Sequence, residues 1–217
     1  HQQAVIDLKR SEALIVAGDL DQASTLAEQA HQVGGSLQNP ELISEALYLL
    51  AMIHIQRGEP RFVVDHAESA IGMARQSLNN VLVARWIALR GRAHRLQGSY
   101  EDSLQDFKTA AQIARQIGDQ SQLANSLGSQ GIIESLRGNL RVAVQLVGQS
   151  VAVAHNSGDR RLHASRLFLL GTILLDAGEL DEALEDYRRA RIQYQELNEG
   201  FNEAMVLVGL SQVHYLK

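Results

Sequence analysis

Residues 171–190 read GTILLDAGELDEALEDYRRA. Gly171 stands seven places before Gly178, and Ala183 and Ala190 follow five and twelve places after it. Counting down from Gly178 in steps of 40 residues lands on Gly138, Gly98, Gly58 and Gly18. The small neighbours keep the same step. Ser11, Ala51, Gly91, Gly131 and Gly171 precede the glycines, and Ser211 extends that series. Ala23, Val63, Ser103, Ala143 and Ala183 form the second series, and Ala30, Ala70, Ala110, Ser150 and Ala190 the third. The chain is therefore an array of one unit.

The unit is a helical hairpin. Small side chains at fixed places let two helices approach closely. A glycine accepts the left-handed conformation that ends one helix, and acidic residues such as Asp21, Glu101 and Asp181 favour the first turn of the next. First helices are expected near 3–17, 41–57, 81–97, 120–137, 160–177 and 201–216. Second helices are expected near 20–34, 60–78, 100–117, 140–156 and 180–197.

With these residues in register, the chain resembles the tetratricopeptide repeat (TPR) family, in which a first helix with small residues, a turn and an alanine-bearing second helix recur. The resemblance covers residues 3 to 217 and implies an all-α fold: a right-handed α-solenoid of TPR helix-turn-helix repeats, five repeats plus one C-terminal helix. The repeats would be about 3–40, 41–80, 81–120, 121–160 and 161–200, with a final helix 201–217, in a single domain spanning 1–217. The period of 40 exceeds the usual TPR length of about 34 residues. The surplus is expected after the second helix, around Asn79-Asn80, Gly118-Asp119, Gly158-Asp159 and Asn198-Glu199. Long repeats of this kind look like those of kinesin light chains, spindle-orientation scaffolds and bacterial regulators of the maltose-activator and peptide-sensing types. HEAT and armadillo repeats have a similar length but lack the Gly-Asp-Leu turn.

Composition narrows the function. A hydrophobic fraction of 45% supports a continuous core, and two prolines leave long helices unbroken. No cysteine is present, so disulfides and thiolate metal sites are excluded and a reducing, cytoplasmic setting is expected. A formal charge of −5 speaks against a nucleic-acid partner, and the longest apolar run, Leu167 to Leu175, is far short of a membrane span. The chain opens on His1 and the next turn glycine would fall just past Lys217, so an excerpt of a longer protein is expected.

Chemistry is sparse. No nucleotide-binding glycine loop, zinc-protease motif or nucleophile elbow occurs, and Gly128-Ser129-Gln130-Gly131 lies mid-helix by register. No enzyme activity, cofactor or metal is expected. His54, His94 and His214 share one repeat position, but successive first helices lie roughly 10 Å apart, too far for the three to share a metal ion. Each is expected to pack between helices. His155 and His163 flank one loop and can meet, though two ligands make a weak site.

The resemblance implies a concave groove lined by first helices, and a protein or peptide ligand within it. The family's groove positions carry over to Val5, Leu8, Glu12 and Ile15, then Glu45, Tyr48, Leu49, Met52 and Ile55, then Arg85, Ala88, Leu89, Arg92, Arg95 and Leu96, then Asn125, Ser129, Ile132 and Leu136, then Ser165, Phe168, Leu169, Thr172 and Leu175, with Met205, Val208, Gln212 and Tyr215 on the sixth helix. Arg85 and Arg92 differ by about 20° around a helix axis, and Arg95 adds one more turn. Such a stripe, with Tyr48 and Met52 on one side and Asn125, Ile132 and Phe168 on the other, suits an acidic peptide with apolar anchors. The competing reading is a solvated face whose arginines pair with Glu45, Glu134 or other neighbours. A second class of function rests on the last helix, which is apolar on nearly every side: self-association, as a homodimer, through Met205, Val208 and Tyr215.

Overall fold

The computed structural model describes residues 2–217, and these form eleven helices with no strand among them. The helices are α1 Gln2–Ala17, α2 Leu20–Ser36, α3 Pro40–Gln56, α4 Pro60–Gln76, α5 Asn80–Leu96 and α6 Tyr100–Ile117. They continue as α7 Gln120–Leu136, α8 Leu140–Asn156, α9 Arg160–Asp176, α10 Leu180–Glu196 and α11 Gly200–Leu216. The chain divides into two compact units, one ending at Ile113 and the other running from Ala114 to Lys217. Each is a stack of antiparallel helical hairpins, the α-solenoid arrangement.

Every connection is two or three residues long, and most helices have 17 residues. This corrects one expectation: the surplus over the usual TPR length does not collect in a loop after the second helix but lengthens the helices. Both kinds of connection use the same left-handed residue. Gly18, Gly58, Gly98, Gly138 and Gly178 have φ between 77° and 86°. The other connections hold Gln38, Leu78, Gly118, Gly158 and Asn198 in that region, with φ from 49° to 75°. Only two of those five are glycine, which is why this second turn is fainter in the sequence.

Helix starts are also written periodically. Asn39, Asn79, Asp119 and Asp159 stand 40 residues apart, and each side chain accepts a hydrogen bond from the backbone N–H three residues on, at 2.8–3.0 Å. Pro40 and Pro60 open α3 and α4, where the missing N–H has no helical partner to lose.

The small-residue series lie where hairpin partners touch. Ala51, Val63, Ala143 and Ala183 are fully buried, as are Ala70, Ala110, Ser150 and Ala190. Where serine replaces alanine, its hydroxyl donates to a carbonyl of the facing helix: Ser11 to Ala23 O at 2.8 Å and Ser103 to Gly91 O at 2.7 Å. Around these contacts the first unit packs Ile53, Ile71 and Trp86, and the second packs Tyr187, Leu167 and Val206. Gly171 and Gly209 clasp the Tyr187 ring so closely that a Cβ on either would stand 2.9 or 2.6 Å from it.

Within each unit, first helices also touch the next first helix: α1 with α3, α3 with α5, α7 with α9 and α9 with α11. Second helices α2 and α4, or α8 and α10, make no such contact. The first helices therefore line the tighter, inner side of each stack.

Candidate functional site

In the first unit the inner wall carries Glu12 on α1, Glu45, Tyr48 and Met52 on α3, and Arg85, Arg92 and Arg95 on α5. Arg85 is committed within the protein. Its guanidinium carbon stands 4.4 Å above the centre of the Tyr48 ring, and its Nη2 lies 3.5 Å from Glu12 Oε1, two repeats away. Burial works against its charge, but Tyr48, Glu12 and Glu45 outweigh that and raise its pKa above the ordinary value. Glu45 is shifted upward by burial and by the neighbouring carboxylates of Glu41 and Glu12, against the pull of Arg85. These groups line a cleft of 230 Å³ together with Val5 and Lys9. Tyr48 is held in turn by the edge of Trp86, with ring centres 5.8 Å apart at 80°.

Arg92 and Arg95 differ from Arg85: among the described residues neither forms an ion pair with a carboxylate. Arg92 is exposed by surface area. Partial desolvation and then the like charge of Arg95 lower its pKa, with Tyr48 opposing. Arg92 is exposed and Arg95 half-buried on one face of α5. Ile15, Ile55 and Leu89 are not groove residues as the resemblance implied, because each is no more than 6% exposed and belongs to the core, whereas Leu8 and Leu49, equally buried, do line the cleft.

In the second unit Asn125 on α7 is exposed, Ile132 is half-buried and Phe168 on α9 is half-buried against Tyr187, with ring centres 5.7 Å apart. Phe168 also packs onto the core cluster of that unit. On α11, Val206, Gly209, Leu210 and Val213 are buried, whereas Met205, Val208 and Tyr215 are 45%, 56% and 89% exposed. Val208 and Tyr215, with Leu175, Leu207 and Leu216, line an open hollow of 720 Å³.

The histidines separate by environment. His54 stacks on Phe62 at 3.9 Å and its Nδ1 lies 2.6 Å from Glu59 Oε2. His94 sits 3.8 and 3.9 Å from Asp102 and Asp106. His214 is exposed, so the expectation that it packs between helices is corrected: among the described residues no helix covers that face of α11. His155 and His163 do meet, with ring centres 5.0 Å apart, and burial lowers the pKa of His163. Among the described residues, no three histidine, aspartate or glutamate side chains gather as a metal site would require.

A further charged residue escaped the reading of the sequence. Arg166 on α9 lies largely buried between α7 and α9, with no carboxylate partner among the described residues. Its counterparts at 40-residue steps, after the exposed Ile6, are Ala46, Trp86, Ser126 and Val206, all at most 1% exposed and none charged. A single arginine in an otherwise uncharged column was the signal.

No helix of the described residues is long and apolar enough to cross a membrane. Models of the tetratricopeptide repeat match residues 4–29, 83–155 and 137–197. None of the curated proteins matches. Among solved structures, BtubC (BKLC) from P. vanneervenii is 16% identical, with 90% of this chain and 83% of that one covered at a TM-score of 0.77. A Rap protein complexed with Competence and Sporulation Factor is 17% identical over 99% of this chain and 64% of that one, with a TM-score of 0.73. A thermophilic TPR protein from Thermus thermophilus is 22% identical over 94% and 99%, with a TM-score of 0.69. At these identities the likeness is one of fold.

Proposed function

We propose, given that this chain belongs to the tetratricopeptide repeat family, that it is a non-catalytic scaffold or sensor module whose inner wall receives a peptide or protein segment. The observation that carries the reading is the pair Arg92 and Arg95, two guanidinium groups without an internal carboxylate on the wall beside Tyr48 and Met52. Two like charges held together repel each other, and a ligand carboxylate relieves that repulsion while accepting forked hydrogen bonds. Tyr48 and Met52 offer apolar contact beside them, and Asn125, Ile132 and Phe168 are the contacts proposed for the second unit. Arg85, bonded to Glu12 and seated on Tyr48, acts as a strut that fixes the wall, and a ligand would engage it only in competition with Glu12. A Rap protein of the same fold is complexed with Competence and Sporulation Factor, which supports a bound peptide or protein ligand here, and we place the chain in a bacterial regulatory, cytoplasmic setting. No nucleic acid or membrane partner enters this reading.

Peptides selected on the wild-type chain from a displayed random library should be enriched in aspartate and glutamate. The double substitution Arg92→Ala, Arg95→Ala should weaken those peptides at least tenfold, because each charge-assisted bond contributes about 1.5–3 kcal/mol. Helicity should be unchanged. Equal affinity for both proteins removes the arginine pair from the site.

A second reading is favoured by α11: its exposed Met205, Val208 and Tyr215 form an apolar face of the kind that pairs copies of a chain. On this reading light scattering shows a concentration-dependent dimer, and Val208→Glu disperses it. A monomer throughout, in the wild-type chain, excludes self-association.

A further inference from the structure

Arg166 has five N–H donors and uses few of them. Its Nη2 donates to Ser165 Oγ at 3.2 Å, and its Nε is buried with no hydrogen-bond partner. Nη1 lies over the backbone of Gly128 on α7, where a Cβ would stand 2.5 Å from it. Ser150 Oγ and Leu169 crowd the same place, at 3.3 and 3.4 Å from that position, so the guanidinium fills the room the glycine leaves. The one acidic group that acts on its charge is the Tyr194 hydroxyl, whose pKa burial raises, so it remains neutral and cannot balance the cation. Burial accordingly disfavours the charge on Arg166.

An uncompensated buried guanidinium costs a fold several kcal/mol. The stack does not need one here, since the same place holds Ala46, Trp86, Ser126 and Val206 elsewhere. The glycine at 128 supplies the room for the fork. A charge that folding does not require, with donors left over, is a group prepared for an anion from outside.

We propose that Arg166, with the Ser165 hydroxyl, forms an anchor in the second unit for one carboxylate of a bound peptide. A carboxylate matches the cation one for one. Phosphate, at about −1.5 to −2, would bury surplus negative charge in the same space. The anchor rests on the reading that the chain takes a peptide, but it lies on α9 and is independent of the arginine pair on α5.

The test uses the full chain with N-acetylglutamate as probe and N-acetylglutamine at equal ionic strength as control. The Arg166 Nε–H signal in a 15N correlation spectrum, assigned by its disappearance in Arg166→Met, should move saturably with N-acetylglutamate and not with N-acetylglutamine. The response should survive Arg92→Ala, Arg95→Ala, so failure of the first-unit site and failure of this one are told apart. Arg166→Met should weaken acidic peptides selected on the wild-type chain at least tenfold. Its unfolding midpoint without ligand should be equal to or above wild type. An unmoved Nε–H signal overturns the proposal. So does a lower midpoint for Arg166→Met, which would mean that the guanidinium is already satisfied within the fold.

Discussion

Trp86→Ala should destabilise the first unit by about 3–5 kcal/mol, the usual cost of truncating a fully buried large aromatic residue. Trp86 has no exposed surface, and its Nε1–H is shared between Ser44 O at 3.2 Å and Ser44 Oγ at 3.1 Å. Truncation leaves a cavity between α3 and α5 and removes the edge against which Tyr48 rests. Since Tyr48 carries Arg85, the strut to Glu12 should loosen as well. Trp86→Phe separates the two contributions: it keeps most of the bulk and forfeits the hydrogen bond, for about 1 kcal/mol from that bond. Urea unfolding followed by circular dichroism reads both. A loss under about 1 kcal/mol for the alanine variant would contradict the packing at this site. Trp86 is also the single tryptophan of the chain, so its fluorescence reports the first unit alone. The proposal that 1–217 forms one domain requires wild-type fluorescence and circular dichroism transitions to coincide.

Gly131→Val should cost about 3 kcal/mol through overpacking. A Cβ on Gly131 would stand 2.4 Å from Val147 Cγ2 and 3.2 Å from Ala143 O, and Val147 has no exposed surface into which it can retreat. Both partners are stiff at χ1, so α7 and α8 must separate. The better helix propensity of valine over glycine recovers only a few tenths of a kcal/mol. Adding Val147→Ala should restore part of the loss, giving a coupling of roughly 0.5–3 kcal/mol in a double-mutant cycle. Additive losses would show that the two positions do not meet.

The helices were legible because their signals are local. The expected 41–57 and 160–177 became Pro40–Gln56 and Arg160–Asp176, set by caps and turn residues that act within one turn of chain. Gln38 and Leu78 were harder to read, since a left-handed residue without glycine leaves little trace in composition. The surplus length was misplaced for a related reason: a helix extended by a turn and a loop of equal length look alike when both are polar.

The candidate site was legible in its residues and not in its pairings. The spacing of Arg85, Arg92 and Arg95 puts them on one helix face, yet nothing in that spacing separates the first from the other two. Glu12 reaches Arg85 across 73 residues because α1, α3 and α5 converge on the inner side of the stack. Arg166 shows the converse. The 40-residue column marks it as out of character, but its missing carboxylate is a fact about every side chain that fails to arrive there.

Periodicity alone thus dictates the hairpin, its turns and the residues at which two helices touch, since steric fit and backbone conformation repeat wherever the same residues do. The convergence of helices assigns each arginine its surroundings: Arg85 paired with Glu12, Arg92 exposed and Arg95 half-buried without an ion pair, Arg166 largely buried without a counter-ion. Charge obeys distance through space, and those distances exist only once the hairpins have stacked.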